Sequence, residues 1–200
     1  MSRVVCPGSF DPIHNGHMDI ITRASGLFDE VLVAVSTNPA KTYRFDLDQR
    51  LALCEDSLSH LGNAFVLPMG PGLLADFCRQ HGATALVKGL RSGQDLEYEL
   101  PMSAMNRHLA GVDTVFLPSA AQSAHVSSSL LKEVATLGGD IRPFVPRAVF
   151  EVLSAVAESS GSEAEAAGSA SGSESTPGAF PADNRSGLGP DVLGREEASG

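Results

Sequence analysis

Five short runs of apolar and β-branched residues recur along the first 157 residues of this chain, with helical patterns between them. Strands that alternate with helices imply a parallel sheet whose crossover connections are right-handed. The sequence therefore predicts an α/β fold with a doubly wound, five-stranded parallel sheet of the Rossmann-like kind. The predicted strands are Arg3–Cys6, Glu30–Val35, Ala64–Leu67, Ala85–Val87 and Asp113–Leu117.

The clearest helical pattern follows Asp46, because apolar residues at 47, 51, 54, 58 and 61 would lie on one helix face. Asp46 is a suitable N-cap, and Gln49 three residues later completes a capping box. Further helices are predicted directly after the loop of residues 8–17, at 73–80 and at 94–110. Two closing helices are predicted at 128–137 and 147–157.

The composition changes abruptly after residue 157. Residues 158–200 are rich in Ser, Gly and Ala, and their few large apolar side chains cannot offset the entropy of ordering the chain. We therefore predict a domain over 1–157 and a disordered acidic tail over 158–200. The first part has 16 acidic and 12 basic residues, and the second has 8 acidic and 2 basic ones.

The charge and the apolar pattern exclude several classes of protein. A net acidic domain argues against nonspecific nucleic-acid binding, although a nucleotide site needs only a few local cations. No apolar run approaches the roughly 20 residues of a membrane span, and no signal peptide is recognisable at the start. Cys6, Cys54 and Cys78 are odd in number and widely spaced, as is typical of reduced thiols in a cytoplasmic protein.

In a doubly wound sheet, ligands bind beyond the carboxyl ends of the strands, so we expect the functional residues in the loops there. The first loop, GSFDPIHNGH at 8–17, places His17 at a helix start, where free N–H groups favour an anion. Ser9 would face the same anion. A metal site at His14 and His17 lacks a third ligand nearby, and an ordinary turn remains the alternative for either histidine.

One stretch imitates a dinucleotide-binding motif. GPGLLA at 70–75 fits G-x-G-x-x-A, and Asp95 follows about twenty residues later. Pro71, however, removes an N–H that the pyrophosphate would need, and the motif normally opens the first βαβ unit. The stretch more simply predicts a turn into the helix that follows.

The remaining strand ends carry further groups suited to phosphate. A lone lysine, Lys41, follows strand two, while Lys88 and Arg91 flank Gly89 after strand four. Three serines at 127–129 stand at a helix start after strand five, where one of them is expected to cap the helix. Four of the five strand ends thus carry groups that can bind phosphate, which predicts a common phosphate-bearing ligand.

In their order, these motifs resemble one known family. The chain is similar to bacterial phosphopantetheine adenylyltransferases, in the nucleotidylyltransferase superfamily marked by H-x-G-H. The resemblance covers about residues 2–157 and rests on CPGSFDPIHNGH, NPAKT, VKGLR with DLEYE, MNRH, and VSSSLLKE with GGD. It implies transfer of adenylate from ATP to 4′-phosphopantetheine with Mg²⁺, giving 3′-dephospho-coenzyme A and pyrophosphate. It also implies a homohexamer with feedback inhibition by coenzyme A.

The resemblance also implies roles for individual residues. His17 would contact ATP and stabilise the transition state as the catalytic residue, and no protein ligand to a metal is implied. The acceptor would be bound by Ser9, Lys41, Leu74 and Lys88. ATP would be bound by Ser9, Phe10, His17, Gly89, Leu90, Arg91, Glu99, Ser123, Ala124, His125, Val126, Ser127, Ser128 and Ser129.

Three departures from the family pattern bear on those roles. Lys88 stands where many relatives have arginine, which replaces a bidentate fork with a point charge. Ser123 and His125 stand where an aromatic pair is usual. His14 stands where threonine is common, although histidine is usual there in the wider superfamily. It is either a second phosphate donor or a neutral substitution.

The residue types suit direct in-line attack by the acceptor phosphate, because no nucleophile with an adjacent base is apparent. His17 would donate best to phosphoryl oxygens if bound phosphates raised its pKa. One rival is a related transferase that acts on nicotinamide mononucleotide or transfers cytidylate. The other is a nucleotide sensor without catalysis.

Overall fold

The five predicted runs form one parallel sheet in the computed structural model, which describes residues 1–155. The strands are β1 (Arg3–Gly8), β2 (Glu30–Ser36), β3 (Ala64–Met69), β4 (Ala85–Leu90) and β5 (Asp113–Pro118). The helices are α1 (Asn15–Leu27), α2 (Leu47–Leu58), α3 (Leu74–Gln80), α4 (Gly93–Ala110), α5 (Ser128–Thr136) and α6 (147–155).

The order across the sheet is β3-β2-β1-β4-β5, so the direction of strand addition reverses between β1 and β4. This is the predicted doubly wound topology, with a switch point between two central strands. β1 and β2 pair over six residues, from Arg3 opposite Glu30 to Gly8 opposite Val35. β1 and β4 pair only at Val4–Ala85 and Val5–Leu86. Beyond those pairs the two strands have no ladder between them, which leaves space for a ligand.

Each strand extends further at its carboxyl end than the apolar pattern predicts. Lys88, Gly89 and Leu90, expected in a loop, continue β4 and pair opposite residues 116–118 of β5. The backbone ladder does not depend on an apolar side chain, so it continues after the apolar run has ended. As a result, Lys88 and Gly89 are held by a strand and not by a loop.

Helices cover both faces of the sheet and bury its central strands. One face packs residues of α1, α2, α5 and α6 against side chains such as Val4 and Val33. The other face packs α3 against side chains such as Val5 and Leu86. Each fully buried aliphatic side chain contributes about 1.5–3 kcal/mol, so these two layers fix the sheet edge on which the loops stand.

The helix starts follow local capping chemistry. Asp46 accepts a hydrogen bond from the Gln49 amide at 2.8 Å, and the Gln49 side chain accepts one from the Asp46 amide, which confirms the predicted capping box. Ser127 caps α5 by accepting from the Leu130 amide at 3.2 Å. The last two residues of the predicted closing helix and the predicted tail at 158–200 lie outside the described residues.

Helix α4 leaves one side without a partner among residues 1–155. Tyr98, Met102, Met105 and Leu109 recur at the spacing of one helix stripe and are exposed, by 75%, 54%, 52% and 38%. The buried residue of this helix is Asn106. An exposed apolar stripe on an 18-residue helix is typical of a protein–protein contact.

The described helices and cysteines bear on membrane insertion and on thiol chemistry. None of their helices is both long and apolar enough to cross a membrane. The three cysteines are free and buried, and burial raises the pKa of both Cys6 and Cys54 to about 12.

Candidate active site

A cavity of about 390 Å³ opens where β1 and β4 separate, at the carboxyl ends of the strands. The first loop, the end of β4, the start of α4 and the segment before α5 surround it. It brings together many of the residues predicted from the sequence. The predicted residues that line it are Phe10, His17, Lys88, Gly89, Arg91, Glu99, Ser123, Val126, Ser127 and Ser128.

The other predicted residues do not line this cavity. Lys41 is exposed in the loop after β2, and Leu74 is the first residue of α3, so both follow the carboxyl ends of neighbouring strands, at the rim of the sheet beside β2 and β3. Ser9 is half-buried in the first loop. Leu90, Ala124, His125 and Ser129 lie beside lining residues, and the exposed His125 ring packs edge-on against Phe144.

Two stacked histidines form the start of α1. The rings of His14 and His17 have centroids 3.7 Å apart, and both line the cavity. His14 is the N-cap: its Nδ1 accepts hydrogen bonds from the amides of Gly16 and His17, at 3.1 and 3.3 Å. In return, Nδ1 of His17 accepts from the His14 amide at 3.3 Å. This is a capping box built from two histidines.

The capping box decides which ring nitrogen carries a proton. Because Nδ1 accepts in both rings, the neutral rings carry their proton on Nε2. Burial, and then the nearby Arg91 cation, lowers the pKa of His14 to about 4. Burial, with His14 and Arg91 as further causes, holds the pKa of His17 well below its ordinary value. Both rings are therefore neutral at pH 7, and each offers one Nε2–H donor.

Close packing orients His17 within the first loop. Phe10 is buried, and its ring meets that of His17 edge-on with centroids 5.0 Å apart. Phe10 adopts φ 47°, an uncommon conformation for a residue with a Cβ. Its ring lies over Gly8, where an added Cβ would come within 2.8 Å of it. Gly89 is equally restricted, since a Cβ there would lie 2.9 Å from Ile20 of α1.

Two cations of β4 and its following loop are paired with carboxylates of α4. Lys88 Nζ lies 3.1 Å from Glu99, and Arg91 forms a two-pronged contact with Asp95 at 3.0 and 3.1 Å. The Arg91 guanidinium also donates to the Val126 carbonyl at 3.4 Å. These ion pairs are only partly buried, so a phosphate that approaches can share each cation.

Two of the serines at the start of α5 also bind other parts of the protein. Ser127 caps α5, and the Ser128 hydroxyl donates to the Pro12 carbonyl at 2.9 Å. Ser129 is exposed and does not line the cavity. The segment therefore presents backbone N–H groups and two hydroxyls that are already oriented.

Sequence reasoning did not predict the structural roles of several residues that shape this site. His14 is the N-cap of α1, and Asp95 orients Arg91. Asp11 is a buried charge within the first loop, and Arg50 is a buried charge beside that loop. Within residues 1–155, no cluster of three or more His, Cys, Asp or Glu side chains is arranged to hold a metal ion.

The site lies at the switch point of this sheet and combines neutral histidine donors, two cations and an apolar wall. These groups suit the phosphates of a nucleotide. The model of the cytidylyltransferase-like family matches residues 5–134, which span β1 to α5. The fold and the site therefore define a nucleotidyltransferase.

Comparison with individual proteins shows to which family of nucleotidyltransferases the chain belongs. A phosphopantetheine adenylyltransferase of Micrococcus luteus is 64% identical over 153 residues, which are 76% of this chain and 98% of that protein. One from Pseudarthrobacter chlorophenolicus is 60% identical over 153 residues, 76% of this chain and 92% of that protein. The chain belongs to the phosphopantetheine adenylyltransferase family.

A solved structure supports the fold alone. A Vibrio parahaemolyticus protein assigned as a nicotinate-nucleotide adenylyltransferase superposes with a TM-score of 0.57 at 20% identity. The match covers 76% of this chain and 92% of that one.

The depressed pKa of His14 predicts a specific dependence of stability on pH. The unfolded ring takes up a proton below about pH 6.5, whereas the folded ring does so only near pH 4. The stabilisation is therefore present above pH 6.5 and is lost as the pH falls to 4, by roughly 3 kcal/mol at most. In His14→Thr, threonine caps the helix without titrating.

We expect the free energy of unfolding in urea to differ by less than about 1 kcal/mol between His14→Thr and the parent protein at pH 7.5. Between pH 7 and 4.5 the parent protein should lose more stability than the variant. An equal loss in the two proteins would show that burial and Arg91 do not hold the His14 ring neutral in the folded protein.

Proposed function

We propose that this nucleotidyltransferase transfers adenylate from ATP to 4′-phosphopantetheine, giving 3′-dephospho-coenzyme A and pyrophosphate in coenzyme A biosynthesis. The observation that carries the proposal is the 64% identity to the Micrococcus luteus phosphopantetheine adenylyltransferase over 98% of that protein's length. The cavity supports it with donors and cations at the strand ends where phosphates bind.

The reaction is a single in-line displacement. A phosphate oxygen of the acceptor attacks the α-phosphorus of ATP, a new P–O bond forms, and the bond to the β-phosphate oxygen breaks. Pyrophosphate leaves with the electron pair. Because the acceptor phosphate is already an anion, the protein needs no general base, and its task is to position the reactants and stabilise charge.

His17 supplies the donor nearest to the reacting atoms in this proposal. The His17 ring lines the cavity, and the bond from the His14 amide to Nδ1 fixes its tautomer, with the proton on Nε2. A neutral donor already held in place needs no reorganisation when charge develops on the phosphoryl oxygens. Lys88 and Arg91 stabilise the charge of the acceptor and of the leaving pyrophosphate, respectively.

The two substrates occupy different parts of the site in this proposal. The acceptor binds on the side of Ser9, Lys41, Leu74 and Lys88, which includes the rim beside β2 and β3. ATP binds across the switch point, on residues from the first loop, β4, α4 and the segment before α5. The ATP residues are Ser9, Phe10, His17, Gly89, Leu90, Arg91, Glu99, Ser123, Ala124, His125, Val126, Ser127, Ser128 and Ser129.

Mg²⁺ enters as part of the nucleotide substrate in this proposal. The carboxylates in the cavity wall, Asp95 and Glu99, are each paired with a cation. The phosphates of ATP would therefore supply most of the oxygen ligands that Mg²⁺ prefers, with water as the remainder.

Assembly, inhibition and location complete the proposal. The family resemblance suggests a homohexamer, and the exposed stripe of α4 supports association between copies, because burying apolar surface there is favourable. Coenzyme A carries the same pantetheine arm as the acceptor and so acts as a feedback inhibitor at this site.

The three free, buried cysteines support a cytoplasmic location.

The substrate proposal is tested by incubating the protein with ATP, Mg²⁺ and one acceptor at a time, while pyrophosphate is measured. We expect release with 4′-phosphopantetheine and none above background with nicotinamide mononucleotide. CTP in place of ATP should give no release. Binding of ATP without turnover of any acceptor would instead identify a nucleotide sensor.

We expect His17→Ala to lower the turnover number for pyrophosphate release by roughly 10²–10³-fold, the scale of a lost oxyanion donor. The loss should appear in single-turnover measurements, since the missing interaction belongs to the transition state. His60→Ala, which removes an exposed histidine of the same chain, is the matched control. A His17→Ala enzyme that turns over like the control would contradict the role of His17.

The assembly proposal predicts the effect of a charge on the α4 stripe. Met105→Glu places a carboxylate in the middle of the stripe, away from the cavity lining. We expect it to shift the mass measured by light scattering from a hexamer to smaller species. Leu137→Glu, at an exposed leucine outside α4, is the control and should keep the mass of the parent protein.

A further inference from the structure

Two buried side chains of opposite charge lie beside the cavity but do not line it. Asp11 is 4% exposed and Arg50 is 1% exposed. The proposed transfer reaction assigns a role to neither residue. Burying a charge is costly unless it is hydrogen-bonded, so what these two groups bind indicates what they do.

The Asp11 carboxylate joins three segments of the chain. It accepts hydrogen bonds from the backbone amides of Arg44, at 3.0 and 3.1 Å, and Phe45, at 3.0 Å. It also pairs with Lys132 of α5 at 2.6 Å. Burial acts to raise the pKa of Asp11, but these bonds outweigh it and lower that pKa, so the group is a carboxylate at neutral pH.

The Arg50 guanidinium binds backbone carbonyls at the ends of two strands and at the start of its own helix. It donates to Ser9 at 2.7 Å and to Ser36 at 2.9 Å, at the ends of β1 and β2, and to its own N-cap residue Asp46 at 3.3 Å. Its remaining contact is with the face of the Tyr43 ring, 4.1 Å from the centroid. The planar fork of arginine suits this set of acceptors better than a lysine would.

Asp11 and Arg50 both contact the same segment, residues 37–45, which carries Lys41. Asp11 binds its end at Arg44 and Phe45, and Arg50 supports it through Tyr43. The Tyr43 hydroxyl in turn accepts a hydrogen bond from the Asn38 amide at 2.7 Å. Lys41 itself is exposed, and its amide bonds only within the turn, to the Asn38 carbonyl at 2.9 Å. Its position therefore depends on how the segment is anchored.

We propose that Asp11 and Arg50 are positioning residues that hold the Lys41-bearing segment 37–45 against the first loop, which carries Ser9 and Phe10. Asp11 directly follows Phe10, and Arg50 holds the Ser9 carbonyl that directly precedes it. The pair thus fixes the relative position of the acceptor side and the nucleotide side. The role of Lys41 in this inference rests on the proposed function. The anchoring of segment 37–45 rests on the contacts alone.

The test compares Asp11→Asn, Arg50→Met and Arg50→Lys with the parent protein. Asn keeps the size of Asp11 but loses the charge, and Met keeps the length of Arg50 but cannot donate. Ser57→Ala is the matched control: Ser57 is also a buried polar residue of α2, but its hydroxyl bonds only to the Leu53 carbonyl of the same helix. All proteins are assayed at a temperature well below their measured melting temperatures.

The kinetic readout separates positioning from folding. We expect kcat/KM for 4′-phosphopantetheine to fall by about 10–100-fold in Asp11→Asn and Arg50→Met, the scale of a misplaced substrate-binding group. Arg50→Lys should retain more activity than Arg50→Met. The Kd for ATP, measured by calorimetry without acceptor, should change by less than about threefold, as should every parameter of Ser57→Ala.

The structural readout does not depend on activity. Hydrogen exchange at the Arg44 and Phe45 amides should be at least about tenfold faster in Asp11→Asn than in the parent protein. If exchange over 37–45 and kcat/KM both stay within about threefold of the parent protein, or if ATP affinity falls as much as kcat/KM, the proposal is overturned. If the parent protein itself releases no pyrophosphate, the proposed function fails, while the exchange result still decides the anchoring.

Discussion

The separation of β1 from β4 is the constraint on which the rest of the site depends. Their ladder consists of two residue pairs, whereas each of the other neighbouring strands pairs over six. The reversal of strand order sends the connections after β1 and β4 to opposite faces, so no helix fills the gap above them. Gly89 lets α1 approach β4 closely, and the start of α1 therefore lies at the crevice with its free N–H groups and its two histidines.

The electrostatics of this site are local and contrast with the acidic chain around it. Lys88 and Arg91 each lie against a carboxylate of α4, which holds the cations in place before a ligand arrives. The two histidines add donors without adding charge, because burial keeps them neutral. Such a site attracts phosphate through a few oriented groups and does not present the extended positive surface that nucleic acids require.

The parts of the structure that were predictable from sequence are those with local causes. Apolar runs gave the strands, and the capping box at Asp46 and Gln49 followed from two residues three apart. The N-cap at His14 was missed because histidine is not among the residues usually found there. Asp11 and Arg50 were missed for a different reason: Asp11 binds the Arg44 amide 33 residues away, Arg50 binds the Ser9 carbonyl 41 residues away, and no local pattern signals a buried charge.

The histidine at position 14 illustrates how one side chain can serve two purposes. Threonine would cap a helix through one oxygen and reach no further. His14 makes its cap through Nδ1, which leaves Nε2–H outside the capping bonds on a ring that lines the cavity. Histidine therefore forms the helix start and also brings a neutral ring to the site. Because the stacked rings would repel each other if both were charged, the gain requires that they stay neutral, which burial and Arg91 ensure.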